Sequence, residues 1–382
     1  MDFDYTEEQI LVQKTAREFA REQLAPGVKE RDDKMEYPAE QIKMLGEMGF
    51  MGMMVPEEWG GAGFDTLSYC LAEEEISRED ASVGVVLSVN NSLVCQLLMD
   101  WGNEDQKEKY LKKLASGEWL GAFSLSEPQA GSDASNLLCT AKRDGDYYIL
   151  NGTKNWVTNG IHSNVVIVFA VTEKGVGHKG ISAFIVEKGT DGFTTGKKEN
   201  KLGIRASDTC ELYFDHCQIP VQNRLANESD GFKIAMKTLD GGRIGIASQA
   251  LGIARAALEE SVRYAQERKQ FGKPLTSFGA IREKIAKMSI NLDAARLLTH
   301  KAAVLKDQKQ PFSAASAKAK WMASQTAMEA TTECVQIFGG YGYMQEYGVE
   351  RLMRDAKITQ IYEGTSEVQL LVIARATMGE LS

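Results

Sequence analysis

The sequence predicts a multidomain α+β protein: an α-helical amino-terminal domain over 1–120, a middle antiparallel β-sheet or barrel over 121–231, and a carboxyl-terminal domain of the four-helix-bundle kind over 232–382. Three observations predict it. Residues up to about 120 are rich in Glu, Leu, Ala and Met at helical spacing. The following stretch alternates at period two between turn residues, and after Gly231 the helical pattern returns, broken only by Pro274 and Pro311. With 382 residues, 43% hydrophobic and 25% charged, the chain can bury a large core.

In the first domain Ile42, Leu45 and Met48 form a helical stripe, and Pro26, Pro38 and "EEWGGAGF" (57–64) supply the breaks. In the middle domain "YYILNGTKNWVTN" (147–159) carries Asn151-Gly152 between two extended runs, which predicts a hairpin turn. "NVVIVFAVT" (164–172) reads as a strand covered on both faces, and "TCELYFDHCQI" (209–219) alternates through Cys210, Leu212 and Phe214. In the last domain two stripes predict core-facing helices: Leu251, Ala254, Leu258, Val262 and Ala265, then Ile281, Ile285, Met288, Leu292 and Ala295. Ala356, Ile358 and Ile361 predict a further helix that stops at Gly364, directly after Glu363.

Several function classes drop out. A formal charge of −9 with no basic block argues against nucleic acid. No apolar run reads as long enough to span a bilayer, and the acidic start "MDFDYTEEQI" does not resemble a targeting peptide. The expected setting is a bacterial cytoplasm or, as the second choice, a mitochondrial matrix protein already trimmed. Cysteines 70, 95, 139, 210, 217 and 334 are scattered without a C-x-x-C pair, as reduced thiols would be. Histidines 162, 178, 216 and 300 form no H-x-x-x-H, and His216 and Cys217 point to opposite faces of a strand, so no metal site is expected. "GVGHKG" (175–180) matches a dinucleotide fingerprint, but a strand follows it rather than a helix, so it reads as a hairpin loop.

Other segments carry candidate chemistry, each with a plainer reading beside it. "FSLSEPQAGSD" (123–133) is a strand running into a turn, which can also present N–H groups and the Ser126 and Ser132 hydroxyls to a planar polar ligand. Trp156 and Thr158 share one face of a strand, as a ligand surface or as core. Arg268 and Gln270 in "ERKQFGKP" suit phosphate recognition or a charged surface. The paired glycines of "QIFGGYGYM" (336–344) permit close ligand approach or cap a helix, and Asp240 and Arg243 in "LDGGRIG" are equally open. Glu363 is either a solvated acid or a working carboxylate; at a helix carboxyl terminus the macrodipole mildly disfavours it.

Taken together and in order, "LSEPQAGSD", "NGTKNWVTNG", "KLGIRASDT", "LDGGRIGIASQALGIA", "ERKQFGKPL", "QIFGGYGY" and "RDAKITQIYEGTSEVQ" resemble the acyl-CoA dehydrogenases, flavoproteins that introduce a Cα–Cβ double bond into acyl-CoA thioesters. The resemblance runs from about residue 3 to residue 376, and "SVNNSL" (88–93) with 238–254 is similar to short-chain, butyryl-CoA-type members. It implies a helical domain, a β domain and a helical bundle. It also implies FAD as cofactor, a homotetramer, and electron-transferring flavoprotein as electron partner. Glu363 is then the catalytic base, taking the α-proton as flavin N5 takes hydride from Cβ. Its backbone N–H and a ribityl hydroxyl hold the thioester oxygen. An ordinary glutamate, with a pKa of about 4.3, is a weak base, and desolvation raises that value. Some members carry the base at the position matching Gly242, which has no side chain here. Matched to the family, Phe123, Leu125, Ser126 and Ser132 line FAD, Ser132 also lying near CoA, while Trp156 and Thr158 face the isoalloxazine. Arg268 and Gln270 reach the FAD of a neighbouring subunit, Gln336, Gly339 and Gly340 its adenosine, and Thr365 and Glu367 stand beside FAD. Asp240, Arg243 and Gly364 match substrate contacts. Branched-chain and medium-chain acyl-CoAs are the alternative substrates, and a non-catalytic CoA-binding scaffold the remote alternative.

Overall fold

The structure is a computed structural model that describes residues 4–379; Met1–Phe3 of the acidic start and the last three residues lie outside it. Helix α1 (Glu7–Phe19) begins with a capping box in which Thr6 Oγ1 accepts from Gln9 N–H at 3.2 Å and Gln9 Oε1 from Thr6 N–H at 3.0 Å. It is followed by α2 (Val28–Lys34), α3 (Ala39–Glu47), α4 (Thr66–Glu79), α5 (Ala81–Trp101) and α6, made of helical segments over 104–115. Leu45 is fully buried, whereas Met48 lies just past the end of α3 and is exposed.

Helix α5 departs from expectation, because it is long and apolar enough to cross a membrane. It is instead a core helix, with 89% of its most apolar 18-residue window buried inside the protein. Its polar residues brace neighbouring backbone: Asn90 Nδ2 donates to Met51 O at 2.8 Å and Leu114 O at 3.1 Å, and Asn91 Nδ2 to Phe50 O at 2.8 Å.

The middle sheet contains β1 (Gly121–Ser124), β2 (Thr140–Asp144), β3 (Tyr147–Thr158), β4 (Val165–Val171), β5 (Ile181–Glu187), β6 (Phe193–Thr195), β7 (Thr209–Pro220) and β8 (Arg224–Leu225). The strand order is β6-β7-β3-β2-β4-β5-β8, with β1 alongside β4. Pairing is antiparallel except that β1 and β2 run parallel to β4. Strands β4 and β5 are buried on both faces, and Cys210, Leu212 and Phe214 of β7 point inward together. "GVGHKG" lies in the loop between antiparallel β4 and β5, with no helix after it.

Asn151-Gly152 is not a hairpin turn. Both residues lie inside β3, at a register shift against β7, and the turn is Gly145-Asp146, which leaves Asp144 paired with Tyr147. Gly152 is needed because the strands crowd there: a Cβ would sit 2.7 Å from Cys139 Cα.

The last domain has three long helices, α7 (Gly231–Glu267), α8 (Gly279–Asp307) and α9 (Ser313–Phe338), and two short ones, α10 (Val349–Thr359) and α11 (Ser366–Thr377), both packed on α9. Both predicted stripes face the core or its margin. Helix α7 also packs on α4 and α5, so the two helical domains share one core. Helix α10 ends at Thr359, earlier than predicted, and Ile361 is exposed. Residues 360–365 turn back at once: Ser366 N–H donates to Gln360 O at 2.9 Å, and Thr365 caps α11.

Candidate active site

The tight connection between α10 and α11 forces Glu363 into the left-handed region, with φ of 50°, followed by Gly364 at 90°. A non-glycine residue there costs on the order of 1–3 kcal/mol, so other contacts must hold it. Although the residue is only partly covered, its Oε2 is buried and has no hydrogen-bond partner among the described residues. Burial pushes its pKa up to about 7, against the opposing charges of Lys320 and Arg243. Its backbone N–H is likewise without a protein acceptor among the described residues.

Glycine 242 on α7 faces this carboxylate. A Cβ at that position would collide with Glu363 Oε2 and lie 2.6 Å from Leu93 Cδ2. Glu363 therefore occupies the space that a side chain at 242 would need. One turn of α7 places Arg243 and Asp240 on the same side: Arg243 Nη1 donates to Asp240 Oδ1 at 2.5 Å, and Ser313 Oγ to the same oxygen at 2.9 Å. Arg243 Nε is buried with no hydrogen-bond partner among the described residues. Burial lowers the Arg243 pKa and raises that of Asp240, in each case against the partner's charge. Glu363, Gly364, Arg243, Asp240 and Gly242 thus form one cluster, with Leu93 of "SVNNSL" at its wall.

The β-domain residues form a second group. Trp156 sits at a bulge in β3 with φ of 60°; it is 64% exposed, and Val157 beyond it is buried, so Trp156 and half-buried Thr158 share an accessible face. This favours the surface reading over the core one. Asn155 N–H donates to Ser126 O at 2.9 Å, tying that strand to the turn after β1. Phe123 and Ser126 are half-buried, Leu125 is buried, and Ser132 is exposed. A buried ion pair, Lys154 Nζ to Glu127 Oε1 at 2.7 Å, underpins the turn, and Lys154 also donates to Leu125 O at 3.0 Å. Burial works against the Glu127 charge, but Lys154 and the Leu138 N–H hold its pKa below the ordinary value.

A third group lies in an open groove of about 490 Å³ lined by Tyr264, Arg268, Gln270, Phe338, Gly339 and Gly340, among others. Arg268 ends α7, its guanidinium 5.1 Å from the Tyr341 ring centre. Gln270 ends the first strand of a short hairpin, Lys269–Gln270 with Lys273–Pro274, whose tip residues Phe271 and Gly272 both have positive φ. Gly339 and Gly340 are exposed, with open space above them; Gln336 is exposed on the last turn of α9 and does not line the groove. The groove shares no residue with the Glu363 cluster. Thr365 serves as a helix cap and Glu367 is exposed beside it.

Sequence reasoning missed Lys320 and Gln369, which grip the Glu363 loop, and the Lys154–Glu127 pair. A lysine and a glutamine inside amphipathic helices carry no local signal of burial. Among the described residues no cluster of His, Cys, Asp and Glu could hold a metal ion.

Family models match in three consecutive pieces: the acyl-CoA dehydrogenase N-terminal domain at 6–118, the middle domain at 122–217 and the C-terminal domain at 229–378. A short-chain specific acyl-CoA dehydrogenase of Clostridium acetobutylicum is 50% identical over 374 residues, 98% of this chain and 99% of that one. The structure of butyryl-CoA dehydrogenase from Megasphaera elsdenii is similar at a TM-score of 0.98 and 51% identity, over 99% of this chain and 100% of that one. A chain solved in work on the electron transferring flavoprotein of Acidaminococcus fermentans is similar with the same four figures.

Proposed function

Because this chain belongs to the acyl-CoA dehydrogenase family, we propose that it oxidises a short-chain acyl-CoA, butyryl-CoA to crotonyl-CoA, and passes the electrons to an electron-transferring flavoprotein. One observation carries the chemistry: the covered Oε2 of Glu363 accepts no hydrogen bond and faces a glycine rather than a side chain. Such an oxygen is free to take a proton from carbon.

The α-proton of a thioester is weakly acidic, so a base must be both close and strong. Burial supplies the strength, moving Glu363 to about 7, where proton affinity and ionised fraction are balanced near neutrality. Positioned bases typically contribute about 10²–10⁴-fold. As the proton leaves, negative charge grows on the thioester oxygen, and the free Glu363 N–H is the chain's own donor for it. Arg243, held by Asp240 with Nε unused, is the substrate-side cation.

The β-domain residues fit FAD. The exposed Trp156 indole offers a flat apolar face, and Thr158 with the Ser126 turn offers short hydrogen-bonding groups beside it. FAD bound there supplies the acceptor for the hydride that leaves Cβ. The groove at Arg268, Gln270, Gly339 and Gly340 is separate from the Glu363 cluster, which supports the reading that it serves the cofactor of a second subunit in a homotetramer. The same reading sets the enzyme in a bacterial cytoplasm, in keeping with its bacterial relatives.

Anaerobic titration of the flavin-loaded protein with butyryl-CoA tests the assignment. Prompt bleaching of the flavin absorbance is expected; an unchanged spectrum would overturn the short-chain reading and turn attention to branched or longer thioesters.

A further inference from the structure

The connection that carries Glu363 is held by side chains that no feature of the proposed reaction requires. Lys320, on α9, is fully buried and has no salt bridge among the described residues. Its Nζ donates to Tyr362 O at 2.7 Å and also to Gly364 O. Gln369, on α11 and equally buried, donates from Nε2 to Gly364 O at 2.9 Å and to Glu363 O at 3.4 Å. Three consecutive carbonyls around the strained residue are therefore taken by two side chains. A second brace comes from α9: Gln325 Oε1 accepts from Gln360 Nε2 at 2.9 Å, and Gln325 Nε2 donates to Ser366 Oγ at 3.2 Å.

A lysine buried without a salt bridge is costly, and burial pushes the Lys320 pKa down to about 7; a methionine of similar length would fill the same space without that cost. Packing alone does not account for it. We propose that Lys320, together with Gln369, is a positioning residue for the base: the pair clamps the carbonyls of 362–364, holds Glu363 in its left-handed conformation, and so aims the carboxylate across Gly242.

This deepens, and rests on, the assignment of Glu363 as the base. Lys320 also acts electrostatically. The charged and titratable groups around Glu363 are Arg243 from α7, Lys320 from α9, Glu73 from α4 and Tyr362 in the loop, and Glu367 at the start of α11 acts on Lys320. Of these, Lys320 and Arg243 favour the ionised carboxylate.

The test compares wild-type, Lys320→Met, Lys320→Arg and Gln369→Leu holoenzymes in anaerobic stopped-flow reduction by butyryl-CoA. Limiting rate and substrate Kd are read separately across pH, with amide hydrogen exchange at 362–366 followed in parallel. Lys320→Met should lower the limiting rate by about 10²-fold, as a misplacement near 1 Å does, while Kd and flavin content stay close to wild type. Its acid midpoint should rise, because Lys320, although burial lowers its own pKa to about 7, favours ionised Glu363. Amide exchange at 362–366 should quicken. Lys320→Arg should recover part of the midpoint shift, and Gln369→Leu should slow reduction without moving the midpoint. Flavin-loaded Lys320→Met with wild-type rate, midpoint and exchange overturns the proposal. If that variant does not fold, Gln369→Leu decides, and a wild-type rate with unaltered exchange overturns it. Failure of the wild type to bleach would instead sink the substrate assignment, with amide exchange still reporting on the clamp.

Discussion

Gly242→Ala adds one methyl group where the structure has no room for it. The new Cβ would overlap Glu363 Oε2, stand 3.2 Å from its Cδ, and lie 2.6 Å from Leu93 Cδ2. Relief requires the carboxylate to move by about 1 Å, and a shift of that size costs on the order of 10²-fold in rate. Two opposed effects act on stability. Alanine in a helix interior gains about 1 kcal/mol over glycine, while overpacking costs about 1–3 kcal/mol. The net change is then between about zero and 2 kcal/mol of destabilisation, so activity should collapse while the protein stays folded. The adjacent Gly241→Ala is the control, because its nearest neighbour would be Ser92 O at 3.9 Å. It should keep its activity and gain up to about 1 kcal/mol. The assay is anaerobic flavin reduction by butyryl-CoA, paired with thermal unfolding of both holoenzymes. A Gly242→Ala enzyme that reduces its flavin at the wild-type rate would refute the placement of the Glu363 carboxylate over Gly242.

Glu363→Gln keeps the shape and removes the base, so flavin reduction should fall by about 10²–10⁴-fold with FAD still bound, as stopped-flow absorbance would read. In the wild type the reduction rate should drop as pH falls through about 7, where Glu363 takes up its proton. The stability consequence has the opposite sign: a carboxyl whose folded pKa is raised from 4.5 to about 7 binds more protons when folded, so its ionisation weakens the fold as pH rises. Glu363→Gln should accordingly raise Tm at pH 8 and change it little below pH 4.5, which a pH series of melts would check. Lys154→Met strands Glu127 in the interior and should cost about 3–5 kcal/mol, measured by denaturant titration; a cost below 1 kcal/mol would contradict the pairing. Arg268→Ala should loosen FAD and weaken assembly, read from the flavin-to-protein absorbance ratio and sedimentation. A fully flavinated variant with unchanged assembly would count against a shared cofactor site.

Much of the fold was legible because its signals are local. The period-two run through Cys210, Leu212 and Phe214, and the helical stripe at Leu251, Ala254 and Ala265, each report which face is buried. Where the reading failed, a distant contact overrode a local preference. Asn151-Gly152 favours a turn in isolation, but the close approach of Cys139 makes its glycine a bulge within a long strand. The helix at 81–101, read from the sequence as lacking an apolar run long enough to span a bilayer, has a span's length and composition. Only its surroundings show it to be core.

By itself, the sequence determined the succession of helical, β and helical segments, which depends on residue type and spacing along the chain, and the family resemblance, which in turn implied Glu363 as the candidate base. Tertiary structure decided what that glutamate can do. Its raised pKa, its unpartnered Oε2, the absence of a side chain at Gly242 and the grip of Lys320 arise between segments tens to more than a hundred residues apart. Burial and electrostatic coupling fall off over a few ångströms in space, whatever the separation in sequence, and only the folded chain sets those distances.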